Sequence, residues 1–242
     1  MQLAGKAALV TGAGRRVGQA LAVGLAAAGC DVAVHYSSSA KGAEGTATEI
    51  RKLGRKAALL GADLRDAVAA RGLADQAARA LGRLDVLINA AAVMVKQAVL
   101  DVTPESWDAT LDLNLRAYFF VAQGAIPHLK PVHGKIVNIA DVGGLEPWPT
   151  YIPHSVSKAG VVMLTKGLAK ALAPDITVNA VAPGPVLLPD DWDEATRKRF
   201  AETTPLGLGS PEHVVNAVRY LLEGGDYVTG TVLVVDGGRM LR

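Results

Sequence analysis

The chain has 242 residues, of which half are apolar and only 5% are aromatic. This length allows one large domain, and the composition predicts a core of small aliphatic side chains. The 25 basic and 23 acidic residues give a net charge of +2, which argues against a nucleic-acid-binding surface. Cys30 is the single cysteine, so an internal disulfide is excluded. No leader-like segment or membrane-spanning apolar run is present, so we expect a cytoplasmic protein that does not enter the membrane.

Short β-branched and aliphatic runs alternate with longer alanine-rich stretches along the whole chain. Continuous apolar runs of this kind are typical of strands buried on both faces of a parallel sheet. Capping signals at Thr103–Glu105 and Ser210–Glu212 mark the starts of two intervening helices. The alternation predicts an α/β fold in one domain over residues 1–242, with a doubly wound seven-stranded parallel sheet and helices on both faces. The predicted strands are Ala7–Thr11, Val32–Tyr36, Ala57–Ala62, Val86–Asn89, Lys135–Ile139, Thr177–Ala182 and Val232–Val235.

A glycine-rich segment follows the first strand and leads into a helix predicted over Gln19–Ala28. Glycines in such a turn let the backbone approach a diphosphate, which then lies at the helix N-terminus. The segment resembles the T-G-x-x-x-G-x-G turn of the short-chain dehydrogenase/reductase family, and its central arginine is similar to the pteridine-reductase branch of that family. The resemblance implies a Rossmann fold. It implies cofactor contacts at Gly12, Gly14, Arg15, Arg16, Val17 and Gly18.

The end of the second strand indicates which dinucleotide would bind. NAD-binding proteins usually carry an acid there that accepts from the ribose 2′-hydroxyl, and this chain has none. An acid would repel a 2′-phosphate, whereas hydroxyls and the nearby Arg15 can donate to one. We therefore predict NADPH/NADP⁺ over NADH, unless Arg15 and Arg16 are merely exposed loop charges. The predicted contacts after this strand are His35, Tyr36, Ser37, Ser38 and Ser39.

Further segments resemble the same family in chain order, so the resemblance covers essentially the whole chain. It implies that Asp63 binds the adenine amine and that the segment after the sixth strand lies beside the nicotinamide. Leu188 stands where the family usually has a threonine, which puts one polar contact in doubt. The other cofactor residues implied by these matches are Leu64, Asn89, Ala90, Ala91, Pro183, Gly184 and Val186.

The catalytic segment departs from the family pattern at one position. The resemblance implies a serine, a tyrosine and a lysine supported by an asparagine, with the tyrosine giving a proton to the substrate oxygen as hydride arrives. Lys158 matches the lysine, which also holds the cofactor ribose, and Asn114 matches the asparagine. His154 stands at the tyrosine position, and Asp141 stands at the serine position, as in pteridine-reductase-like members.

The role of His154 is left open by the sequence. Lys158 lies four residues later on a predicted helix, and its ammonium group disfavours the imidazolium form. A neutral imidazole can still donate a hydrogen bond to a carbonyl oxygen, whereas a partner carboxylate from Asp141 would favour a working acid. Alternatively, the position is degenerate and the chain is a catalytically impaired NADP(H)-binding sensor or scaffold. Tyr151 is interpreted as a packing residue rather than a substitute phenol.

The preferred hypothesis is an NADPH-dependent oxidoreductase that transfers hydride to a C=O or C=N bond of a small molecule, either a pteridine-like or a carbonyl compound. A lid is predicted within Leu187–Leu208, with Asp190 and Asp191 on it. The helix predicted over Ser155–Ala173 carries more apolar surface than one sheet face can cover, which predicts a homotetramer, or at least a dimer. No metal site is predicted. The predicted substrate contacts are Met94, Asp141, Trp148, Pro185, Leu188 and Trp192.

Overall fold

The computed structural model describes residues 1–188 and 192–241. Its strands form one sheet of seven, all parallel, in the order β3-β2-β1-β4-β5-β6-β7. This order confirms the predicted doubly wound sheet. The strands are β1 (Ala7–Val10), β2 (Asp31–Tyr36), β3 (Ala57–Gly61), β4 (Val86–Asn89), β5 (Lys135–Ile139), β6 (Thr177–Pro183) and β7 (Val232–Val235).

Helices cover both faces of the sheet, as parallel strands require. One apolar core lies between the sheet and α1, α2 and α8, with Leu21, Ile50 and Val214 among its buried residues. The other lies under α3, α5 and α6 and includes Leu73 and Val121. The helices are α1 (Arg16–Ala27), α2 (Ala40–Lys52), α3 (Ala67–Leu81), α4 (Pro104–Leu111), α5 (Ala117–Leu129), α6 (Ile152–Leu172), α7 (Glu194–Glu202) and α8 (Pro211–Glu223).

The predicted strand bounds agree with the structure to within one residue, but two helices begin earlier than predicted. Helix α1 begins at Arg16 rather than Gln19, inside the glycine-rich segment. Helix α6 begins at Ile152 rather than Ser155. Pro153 fits in its first turn, because the backbone N–H that proline lacks would have no partner within the helix there. Between α4 and α5 the chain forms one π-helical turn over Asp112–Arg116 instead of a continuous α-helix.

The sheet reverses its order between β1 and β4, which is where ligands bind in open α/β sheets. Val10 at the end of β1 pairs with Val34 on one side and Ile88 on the other, so the loops that follow these strands meet at one edge. Across the described residues, the helices are either too short or too polar to span a lipid bilayer.

Candidate active site and cofactor cleft

The turn between β1 and α1 forms a narrow cradle lined by backbone. Gly12 has a φ of +66°, in the left-handed region that favours glycine. A Cβ on Gly12 would come within 2.7 Å of the Ala91 Cα, and one on Gly18 would collide with the Gly12 carbonyl oxygen. A Cβ on Gly14 would likewise collide with Ser39. Only glycines allow these approaches, and the resulting space at the N-terminus of α1 fits a dinucleotide diphosphate.

His35 supports this turn from beneath instead of facing a ligand. Its side chain is 1% exposed, its Nδ1 accepts from the Gly12 N–H at 3.1 Å, and its Nε2 lies 3.1 Å from the Ala62 carbonyl oxygen. A backbone N–H only donates and a carbonyl only accepts, so the ring is neutral with its proton on Nε2. Burial accordingly lowers the pKa of His35 to about 4. The prediction that the His35 side chain contacts the cofactor is therefore corrected, because both ring nitrogens bind the backbone.

The predicted 2′-phosphate region is exposed and carries no carboxylate. Arg15 is exposed directly before α1, and Ser37 and Ser38 are exposed after β2. The contact between Gly14 and Ser39 brings these two segments together. Hydroxyl and guanidinium donors without an acid suit a phosphate better than a ribose hydroxyl. Tyr36 and Val17 are half-buried beside them.

Arg16 connects the glycine-rich turn to the opposite side of the cleft. Its backbone adopts a φ of +54°, and its Nη2 donates to the Leu187 carbonyl oxygen at 2.8 Å. The guanidinium also lies 3.5 Å from the Leu188 carbonyl oxygen. The side chain thus spans the mouth of the cleft, from the end of β1 to the segment after β6.

The carboxylate of Asp63, which is predicted to bind the adenine amine, is hydrogen-bonded to Arg65. Its carboxylate accepts from Arg65 Nη2 at 2.6 Å and from Arg65 Nε at 3.0 Å, and this hydrogen bonding lowers the pKa of the Asp63 carboxyl. The following residue, Leu64, is buried. A ligand amine at Asp63 would share the carboxylate with Arg65, so the adenine contact stays a prediction.

The ends of β1, β4 and β5 are joined by buried polar side chains. Thr11 Oγ1 accepts from the backbone N–H groups of Ala90 and Ala91, at 2.9 and 3.1 Å. Asn89 Nδ2 donates to Asn138 Oδ1 at 3.0 Å, beneath the floor of the cleft. The Asn89 side chain, predicted as a cofactor contact, instead connects β4 to β5. Ala90 and Ala91 keep their backbone beside the glycine-rich turn.

Asn114 lies in the π-helical turn and holds the loop that follows β4. Its Oδ1 accepts from the Val93 N–H at 2.8 Å, and its Nδ2 donates to the Val93 carbonyl oxygen at 2.9 Å and to Ser157 Oγ at 3.1 Å. The π-helical turn aims the amide at this loop, as such turns often do at functional sites. Asn114 is fully buried, so it acts by positioning Val93 and α6.

The hydrogen bonds around His154 assign its tautomer. Nδ1 lies 3.1 Å from the Val93 carbonyl oxygen, which can only accept, so Nδ1 carries a proton. Asn114 Nδ2 is 3.4 Å from the same nitrogen, but its two hydrogens already serve Val93 and Ser157. In the neutral ring Nε2 therefore has no proton to give. With this tautomer, donation from Nε2 to a substrate oxygen requires the imidazolium, and the role of His154 stays a prediction.

The Asp141 carboxylate lies near His154 Nε2. Asp141 Oδ2 lies 3.7 Å from His154 Nε2, and Asp141 Oδ1 accepts from the Gly143 N–H at 2.7 Å. The His154 side chain is 4% exposed and the Asp141 side chain 24%, so the carboxylate is the member that faces the cleft. The Trp148 ring stacks on the imidazole with centroids 6.3 Å apart. Within the described residues, Nε2 has no hydrogen-bond partner.

Lys158 is buried one turn along α6 and points to the end of β5. Its Nζ donates to the Ile139 carbonyl oxygen at 2.7 Å and to Tyr118 Oη at 3.3 Å. Burial lowers the pKa of Lys158 to about 8, although the charge on Asp141 opposes this shift. The ammonium group therefore lies next to the Asp141–His154 pair without contacting the imidazole.

The remaining predicted residues lie at the end of β6, in the segment after it and in the loop after β4. Pro183 ends β6, and a Cβ on Gly184 would come within 2.7 Å of Asp236, so the chain is tightly packed there. Val186 is buried, Pro185 and Leu188 are half-buried, and Met94 is 43% exposed at the rim.

The predicted lid is partly helical. Trp192 precedes α7 and packs on Phe200 with ring centroids 4.4 Å apart, and Arg239 lies over the same Phe200 ring. Asp190 and Asp191 lie outside the described residues.

Comparison with known proteins decides the family. A family model described as enoyl-(acyl carrier protein) reductase matches residues 12–239. A 3beta-hydroxysteroid dehydrogenase from Eggerthella lenta is 36% identical over 99% of this chain and 95% of its own. A 3-oxoacyl-[acyl-carrier-protein] reductase from Synechocystis is 35% identical over 99% of this chain and 98% of its own. A solved Serratia marcescens short-chain dehydrogenase/reductase mutant superimposes with a TM-score of 0.92 at 33% identity, covering 99% of both chains.

The chain belongs to the short-chain dehydrogenase/reductase family. It is therefore an oxidoreductase with the fold of that family. Four further residues of this short-chain dehydrogenase/reductase's site have no role that the sequence patterns predict, because each acts through a neighbour in space. Thr11 and Ser157 stand directly beside predicted residues in the sequence, so adjacency was a usable signal. Tyr118 and Asn138 follow no motif, and only the packing of α5 and β5 brings them to the site.

Proposed function

We propose that this short-chain dehydrogenase/reductase is an NADPH-dependent reductase that transfers hydride to a C=O or C=N bond of a small molecule. The observation that carries the proposal is the position of the Asp141–His154 pair beside Lys158, at the same edge of the sheet as the glycine-rich cradle. When bound, the dihydronicotinamide supplies the hydride. The residues of the chain have to supply orientation and a proton.

The proton comes from the Asp141–His154 pair acting as a unit. With Nδ1 bonded to Val93, the imidazolium form of His154 carries its second proton on Nε2, which lies 3.7 Å from Asp141 Oδ2. The protonated pair donates to the substrate oxygen or nitrogen as negative charge develops there, from the carboxylate side that faces the cleft. Lys158 supplies positive charge and one further donor, since two of its three N–H groups are bonded to Ile139 and Tyr118.

The substrate class is proposed from the predicted substrate contacts and from the relatives. The predicted contacts Met94, Trp148, Pro185, Leu188 and Trp192 are apolar or aromatic, and Met94 is exposed. The relatives are named for a hydroxysteroid and a 3-oxoacyl group. A carbonyl compound with an apolar body fits both observations. A pteridine-like C=N compound is the second candidate, because the Asp141 carboxylate can accept from a ring N–H.

The test is NADPH oxidation against a panel of carbonyl compounds and pterins, with NADPH binding titrated in parallel. Turnover with one class supports the proposal and names the substrate. Binding without turnover on any member would instead support the impaired sensor or scaffold. If NADPH does not bind at all, both are wrong.

NADPH should bind much more tightly than NADH, and Arg15→Ala should remove most of the difference. A guanidinium–phosphate contact contributes about 1.5–3 kcal/mol, so the NADPH dissociation constant should rise about tenfold to 100-fold while that for NADH stays the same. Isothermal titration of both cofactors measures this. Arg51→Ala is the matched control, since Arg51 pairs with Glu44 on the exposed face of α2. Equal affinities for the two cofactors in the unmodified protein would contradict the preference.

The oligomeric state and location belong to the same proposal. The α6 residues Val156 and Met163 are 43% and 66% exposed, which leaves apolar surface on this helix for a second copy. A homotetramer formed as a dimer of dimers, in the cytoplasm, remains the expectation from the sequence.

A further inference from the structure

We propose that Tyr118 is a positioning residue that fixes the Lys158 ammonium group and keeps it protonated for cofactor binding. This inference rests on the proposed function in one respect, namely that Lys158 holds the nicotinamide ribose when NADPH binds. Neither the family pattern used above nor the catalytic segment includes this tyrosine, which comes from α5.

The geometry makes Tyr118 an acceptor for the lysine. The phenol is 1% exposed and packs among Ala140, Val161 and Ala180. Tyr118 Oη donates its one hydrogen to the Ile139 carbonyl oxygen at 3.2 Å. Its lone pairs are then available to Lys158 Nζ, 3.3 Å away. A phenol this deeply buried stays protonated, because burial raises the pKa of Tyr118 far above its usual range.

The ammonium group needs this acceptor because it is buried. Lys158 Nζ, Tyr118 Oη and the Ile139 carbonyl oxygen form a triangle in which the carbonyl accepts from both groups. The Tyr118 ring also lies under the ammonium, with its centroid 5.1 Å from Nζ. Burial by itself favours the neutral amine, so each acceptor that stabilises the charged form extends the pH range over which Lys158 can donate.

Among the described residues, the ionisable groups considered around Lys158 come from three elements. Asp141, in the segment after β5, favours the charged amine through its carboxylate. His154 lies one turn earlier on α6, and its imidazolium form would oppose the ammonium. Helix α5 contributes Tyr118, which stabilises the ammonium group by accepting a hydrogen bond at its hydroxyl and not by carrying a charge. Removing that hydroxyl should therefore lower the pH at which Lys158 loses its proton.

The experiment compares the pH dependence of ligand binding in the full-length protein and in Tyr118→Phe, which retains the packed ring. NADPH dissociation constants are measured from pH 6 to pH 9, together with those of 2′,5′-ADP, which lacks the nicotinamide ribose. We expect NADPH binding by the variant to be about tenfold weaker at pH 8 and nearly unchanged at pH 6, consistent with the loss of one hydrogen bond to a charged group. Binding of 2′,5′-ADP should be the same in both proteins.

Tyr227→Phe is the matched control, because Tyr227 is fully exposed. The inference is overturned if Tyr118→Phe gives the same NADPH pH profile as the unmodified protein. It is equally overturned if the variant loses affinity for NADPH and 2′,5′-ADP alike at every pH, since this would indicate a purely structural role. If the unmodified protein binds 2′,5′-ADP but not NADPH, the proposed function fails, and Lys158 has no ribose to hold.

Discussion

Replacing His154 by phenylalanine should lower the rate of NADPH-dependent reduction by about 10²–10⁴-fold, or about 3–5 kcal/mol of barrier, while NADPH binding stays nearly intact. Phenylalanine retains the stacking on Trp148 but removes the proton of the Asp141–His154 pair. Steady-state rates of the two proteins, with NADPH binding titrated in parallel, measure the effect.

A second histidine provides the control for this substitution. His128 pairs with Asp75 at 2.5 Å on the outer surface of α3 and α5, so His128→Phe removes a similar pair far from the cleft. It should leave the rate unchanged. A His154→Phe variant as active as the unmodified protein would exclude the working-acid role. In that case His154→Tyr, which restores a phenol next to Lys158, should raise the activity.

Acidification should destabilise the protein through His35, by about 3 kcal/mol between pH 7 and pH 4. The folded pKa of this histidine is lowered to about 4, whereas the unfolded chain takes up the proton near pH 6.5. Within this window the unfolded state binds more protons, so the free energy of unfolding decreases as pH falls. Protonation of Nδ1 would also break the bond from the Gly12 N–H, so NADPH affinity should fall in the same range.

The His35 contribution is isolated by comparison with His35→Asn. Asparagine can still accept from the Gly12 N–H but does not titrate, so the variant should lose about 3 kcal/mol less on acidification than the unmodified protein. Urea unfolding at pH 7 and pH 4, monitored by tryptophan fluorescence, measures the difference. His128→Asn serves as the control on the surface. An equal loss of stability in the unmodified protein and His35→Asn would show that His35 does not titrate as described.

The succession of strands and helices along the chain, the parallel sheet and the glycine-rich turn after β1 could all be predicted from the sequence. These features depend on local information, since apolar runs, caps and closely spaced glycines specify backbone conformation within a few residues. The spacing of His154 and Lys158 follows equally from the sequence, because four residues on a helix place two side chains on one face. For the same reason the strand bounds were predicted to within one residue.

The hydrogen-bond partners of the polar side chains could not be predicted in this way, because they depend on how the elements pack. The tautomer of His154 depends on the Val93 carbonyl oxygen, which the π-helical turn and the loop after β4 bring beside α6. His35 was predicted at the cofactor, but it lies beneath the turn because Gly12 and Ala62 present backbone groups to both its nitrogens. The hydrogen bond between Tyr118 and Lys158 joins residues forty positions apart. Hydrogen bonds of this kind form wherever packing removes water from polar groups, and packing is a property of the whole fold rather than of any local pattern.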